Sequence, residues 1–131
     1  MNRPYRILLV EDSTFDAILV KNAIGKVLDQ SEILIVETKE TFSKALMEFR
    51  PDIILSDLSL PVFDWLHAFR IAKEQSPLIP FIIVTGSTSK DYAAECIKAG
   101  VIDVILKDHI EKLGPVILKA LFPLNDRNYD L

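Results

Sequence analysis

The chain has 131 residues, half of them hydrophobic, with one cysteine and a net charge of −4 from 15 basic and 19 acidic side chains. That length fits one domain with a core of its own, and a lone cysteine excludes an intrachain disulfide and points to a reducing compartment such as the cytoplasm. The absence of clustered Lys and Arg argues against direct nucleic-acid binding, the apolar stretches fall far short of the roughly 18 residues of a membrane helix, and Met1–Arg6 lead into no secretory signal.

In chain order, Ile7-Leu8-Leu9-Val10 is the first of five short, β-branched-rich runs. The others are Ile33–Val36, Ile53–Leu55, Phe81–Val84 and Val104–Leu106. Each is apolar at consecutive positions, which predicts a strand covered on both faces. Helical spacing fills the gaps. Val20, Ala23, Ile24, Val27 and Leu28 form the first stripe, followed by Phe42, Ala45, Leu46 and Phe49, and then Trp65, Ala68, Phe69 and Ala72. Ala93, Ile97 and Gly100 form a narrow stripe, and Leu113, Val116, Ile117, Ala120 and Leu121 the last. Ser13-x-x-Asp16 and Thr88-x-x-Asp91 resemble capping boxes. Pro51 and Pro77 stop the second and third helices, and Gly100 suits the end of the fourth. Pro115 places Asp108–Gly114 in a loop or single turn, with a helix starting near the proline. The order βαβαβαβαβα predicts an α/β fold: a five-stranded parallel sheet in the flavodoxin-like order 2-1-3-4-5, with helices on both faces. Residues 1–122 form the domain, and 123–131 read as a polar tail.

Ligands of such sheets bind beyond the carboxyl ends of the strands. The first strand is followed by Glu11-Asp12, the third by Ser56 and Asp57, the fourth by Thr85 and the fifth by Lys107. Three carboxylates in one crevice repel one another, and a single lysine does not offset them. A divalent cation does, and hard oxygen ligands without His or Cys favour Mg²⁺. A carboxylate beside Mg²⁺ can act as a nucleophile toward a phosphoryl group. Asp57, on the central strand, is the candidate phosphoacceptor, with Lys107 and the Thr85 hydroxyl holding phosphoryl oxygens. Any one of these residues alone also reads as ordinary turn chemistry. The joint pattern after four strands is the informative feature.

Leu8–Asp12, Ser56–Pro61, Ile83–Gly86 and Gly100–Asp103 running on to Leu106-Lys107 resemble the receiver domain of two-component response regulators, from about Tyr5 to Phe122. The resemblance implies that Asp57 accepts a phosphoryl group from a sensor histidine kinase or phosphotransfer protein. It implies Mg²⁺ held by Asp12 and Asp57, by Glu11 mostly through water, and by the Ser59 backbone carbonyl. A downstream effector protein or domain would read the outcome. Ser59 and Ser87 take the positions that tune dephosphorylation. Such a domain takes part in its own phosphorylation and dephosphorylation and turns over no free substrate.

Three positions depart from the pattern. Val104 stands where an aromatic residue is frequent, so the usual coupled swing with Thr85 is excluded. Asp108 replaces a proline after the lysine, which predicts a trans bond and a turn capped by Asp108 with Glu111. Trp65 stands where a glycine is common. These departures motivate an alternative, a binding module that works without phosphorylation. An aspartate-nucleophile phosphatase is disfavoured by Ser59, where a second Asp would act as acid/base. A flavin site is disfavoured by Glu11-Asp12, where a hydroxyl-rich phosphate loop would stand. Cys96 reads as a packed small hydrophobe. His67 and His109 read as surface and loop residues, and Lys39, Glu40, Lys73 and Glu74 as solvated helix surface.

Overall fold

A computed structural model describes residues 3–123. Five strands run β1 (Tyr5–Val10), β2 (Ser31–Val36), β3 (Ile53–Ser56), β4 (Phe81–Thr85) and β5 (Asp103–Leu106). Five helices alternate with them: α1 (Thr14–Gly25), α2 (Lys39–Glu48), α3 (Trp65–Gln75), α4 (Lys90–Ala99) and α5 (Leu113–Leu121). All strand pairs are parallel, in the order β2-β1-β3-β4-β5. This is the expected flavodoxin-like sheet. The polar tail expected over 123–131 lies, apart from Pro123, outside the described residues. No helix among the described residues is long and apolar enough to cross a membrane.

Alternation along each central strand divides the core in two. Leu8, Val10, Ile54, Phe81 and Ile83 face α2, α3 and α4, with Phe42, Ala68 and Phe69 packed against them. Ile7, Leu9, Ile53, Leu55, Ile82 and Val84 face α1 and α5, against Val20, Ile24, Leu113 and Ile117. Fully burying one such side chain stabilises the fold by about 1.5–3 kcal/mol. The second strand differs from expectation. It lies at the sheet edge, so it alternates between half-buried and exposed positions up to Ile35, with Leu34 38% exposed, and only Val36 is buried.

Cap chemistry was mostly legible. Ser13 Oγ accepts from the Asp16 N–H, and Gly100 ends α4 at φ 127°. The fourth helix begins one residue later than the Thr88 reading. Ser89 is its cap and accepts from the Tyr92 N–H, because either of two adjacent hydroxyls could have served. Its buried residue is Cys96, whereas Ile97 is 45% exposed, so the Ala93–Ile97–Gly100 stripe does not face the core. Lys107–Lys112 form a 3-10 segment without a side-chain cap, so Asp108 does not cap a turn with Glu111. The fifth helix starts at Leu113, two residues before Pro115. A proline there removes only an N–H that has no partner within the helix.

Gly114 decides how closely α5 approaches α1. A Cβ at this position would stand 2.6 Å from Val27 Cγ1, on a β-branched side chain with little freedom to move. Gly114→Ala would ordinarily favour a helix, but here the overlap wins. The variant is expected to lose about 1 kcal/mol of stability, measured by urea unfolding. A variant more stable than the parent would show that Val27 repacks freely.

Candidate functional site

Three parallel strands end side by side at one rim of the sheet, and each delivers a polar residue there. Glu11 follows β1, Asp57 follows β3 and Thr85 closes β4. All three are buried, at 3%, 7% and 1% exposure. Lys107, directly after β5, reaches across from the neighbouring edge. Its Nζ donates to Asp57 Oδ2 at 2.7 Å, to Asp16 Oδ2 at 2.8 Å and to Glu11 Oε1 at 2.9 Å. An ammonium has three N–H donors, so this set saturates it.

The remaining oxygens are also held. Glu11 Oε2 accepts from the Asp12 and Ser13 N–H groups, both at 3.1 Å. Asp57 Oδ1 accepts from the Ser59 N–H at 3.1 Å. Thr85 Oγ1 makes a long bond, 3.4 Å, to the Ser87 carbonyl. Burial pushes the Glu11 carboxyl up from its ordinary value, against the opposing pull of Lys107 and the Ser13 N–H. Burial works against the Lys107 charge too, but the bonds to Asp16, Asp57 and Glu11 outweigh it and hold Lys107 above its ordinary 10.5.

The sequence pattern predicts Glu11, Asp12 and Asp57 together with Thr85 and Lys107. Glu11, Asp57 and Lys107 do meet, and Thr85 ends the adjacent strand. The Asp12 side chain is exposed and forms no ion pair among the described residues. Asp16 enters in its place. Carboxylate oxygens of Glu11, Asp16 and Asp57 lie within 4.8 Å of one another. The Ser13-x-x-Asp16 spacing predicts a capping box. The Asp16 N–H does complete the Ser13 cap, but its carboxylate turns away to Lys107. The available signal was the position of Asp16, in the first turn of the helix that leaves the β1 rim. Three carboxylates against one ammonium leave a cluster of hard oxygens in charge excess, a donor set that fits a cation such as Mg²⁺ and offers no soft ligand.

Trp65, at the start of α3, is buried, and its Nε1 donates to Tyr92 Oη on α4 at 2.9 Å. The rings meet edge to face. The bulky residue thus packs into the core and links the helix after the Asp57 loop to the helix after the Thr85 loop. The described residues contain no cis peptide bond, in line with Asp108 replacing proline. Cys96 is buried, and the His67 and His109 side chains are exposed.

Over residues 7–117 the chain matches the response regulator receiver domain, and it belongs to that family. It is 39% identical over 64 residues to the DNA-binding transcriptional regulator NtrC of Proteus hauseri, across 49% of this chain and 14% of that protein. It is 32% identical over 108 residues to a protein-glutamate methylesterase/protein-glutamine glutaminase of Bacillus licheniformis, across 78% of this chain and 29% of that protein. The chain therefore spans less than a third of either relative. The signal receiver domain assigned to a Luxo repressor protein from Vibrio parahaemolyticus superposes with a TM-score of 0.80 at 28% identity, covering 98% of this chain and 96% of that one.

Proposed function

We propose that this receiver domain accepts a phosphoryl group on Asp57 in the presence of Mg²⁺, from a phosphohistidine of a sensor histidine kinase or phosphotransfer protein. The result is a changed surface for a downstream effector protein or domain. The domain is read as residues 1–122. The observation that carries this reading is the Lys107 ammonium 2.7 Å from Asp57 Oδ2, inside an acidic cluster at the end of the central strand. Asp57 is buried yet held by donors on both oxygens, which fixes its direction before any reaction.

In the transfer, an Asp57 carboxylate oxygen forms a bond to phosphorus while the phosphorus–nitrogen bond of the donor breaks. The imidazole leaves with the bond's electron pair and takes up a proton, and an acyl phosphate remains on Asp57. Mg²⁺, when bound, neutralises charge on the transferring oxygens. Asp12, exposed beside the cluster, and Asp57 would hold it, with Glu11 helping mostly through water and the Ser59 backbone carbonyl as a further ligand, while Asp16 stays on Lys107. Lys107, once released by a carboxylate partner, would donate to one phosphoryl oxygen, and the Thr85 hydroxyl, loosely engaged at 3.4 Å, is free to turn to another. Phe15 and Ile18 on α1 and Val62 in the β3–α3 loop expose apolar surface, at 79%, 52% and 77%, on elements that leave the same rim. That surface suits a protein phosphodonor.

The test is incubation with acetyl phosphate and Mg²⁺, followed by intact-mass measurement. One phosphoryl adduct is expected, removed by hydroxylamine as an acyl phosphate is. Beryllofluoride with Mg²⁺ is expected to change the fluorescence of Trp65, the single tryptophan of the chain. No adduct together with no beryllofluoride binding would refute the reading.

A further inference from the structure

Asp16 holds one of the three bonds to Lys107 with which a phosphoryl group on Asp57 would compete. Lys107 has no N–H to spare, since all three are engaged by Glu11, Asp16 and Asp57. The Asp57 bond weakens once that carboxylate becomes an acyl phosphate, and a phosphoryl oxygen takes a further N–H only if one of the other two lets go. Glu11 is a poor candidate. Its side chain is 2% exposed, and away from Lys107 it would be a buried charge facing its neighbours. The Asp16 side chain is 32% exposed and can turn to water at small cost. Asp16 also lies within 4.8 Å of Asp57, so its charge opposes the roughly two negative charges that a phosphoryl group brings. Nor does the helix need this carboxylate, because the cap uses the Asp16 backbone N–H.

We propose that Asp16 is a positioning residue that holds Lys107 in the phosphate-free state and competes with the phosphoryl group for it, lowering phosphoryl occupancy of Asp57. This rests on the reading of Asp57 as phosphoacceptor. Asp16 thereby sets a threshold: the phosphorylated state forms only where the incoming group outcompetes a carboxylate already in place.

The test is titration of beryllofluoride at saturating Mg²⁺ into the parent, Asp16→Asn and Asp16→Ala, read by Trp65 fluorescence and checked by calorimetry. Both variants are expected to bind beryllofluoride about tenfold more tightly than the parent, after discounting the interaction for solvent exposure. The adduct formed with acetyl phosphate is expected to accumulate to higher occupancy. Urea unfolding is run alongside. Tighter binding by a domain that is no more stable cannot come from general structural damage, which separates competition from a purely structural role. Unchanged or weaker binding by folded variants, with the parent binding normally, overturns the role of Asp16 and leaves the Asp57 reading intact. A parent that binds no beryllofluoride and takes no phosphoryl group overturns both.

Discussion

Lys107→Met is expected to destabilise the metal-free domain by about 3 kcal/mol, the largest stability loss of any single change at the rim. Methionine keeps most of the aliphatic stem and removes the charge. What remains is Glu11, Asp16 and Asp57 with oxygens within 4.8 Å of one another and no cation among them. Two of these side chains are less than a tenth exposed, so water screens them poorly. The loss should appear as a lower urea midpoint without Mg²⁺, and Mg²⁺ should restore more stability to the variant than to the parent. The pH dependence has a definite sign. Burial already raises Glu11 above 4.5 in the parent, so the folded state keeps a proton that the unfolded chain releases. Removing Lys107 raises it further. Stability of the variant should therefore recover as pH falls from neutral through the folded value of that carboxyl. In the parent, the Lys107 contribution is complete below 10.5 and is lost only as pH rises through its higher folded value. A variant as stable as the parent without Mg²⁺ would show that the cluster does not depend on its lysine.

Asp57→Asn should abolish formation of the acyl phosphate, lowering labelling by acetyl phosphate by on the order of a thousandfold or more. The amide keeps the volume and an oxygen for the Ser59 N–H, but it is no nucleophile. Because Lys107 retains Glu11 and Asp16, stability should change by only about 1 kcal/mol. Loss of label from a folded variant therefore reports chemistry. Labelling equal to that of the parent would place the phosphoryl group on another residue.

The elements were easiest to read where burial is complete. Ile53–Leu55 and Phe81–Val84 are covered on both faces, so their composition states their role directly. The same rule overreached at the second strand. Ile33–Val36 is as apolar as the central runs, yet it pairs on one side only and leaves Leu34 part-exposed. Helix α4 erred likewise. Small residues at helical spacing suggested a core face through Ile97, but the face that packs is the one bearing Cys96. Periodicity alone does not orient a helix whose apolar stripe is one or two residues wide.

Element order, strand pairing direction and the residue after each central strand all follow from local pattern, because a parallel sheet needs continuous apolar runs and puts their ends on one rim. Those features were sufficient to gather Glu11, Asp57, Thr85 and Lys107. Whether Asp12 or Asp16 meets the lysine is not a local matter. Asp16 and Lys107 are 91 positions apart, and their bond depends on how α1 is turned when Ala17, Val20 and Ile24 bury against the sheet. That rotation directs the Asp16 carboxylate to the end of β5, whereas Asp12 precedes the helix and its cap and is exposed. A helix face is chosen by what it packs against, so only the assembled fold could select the third carboxylate.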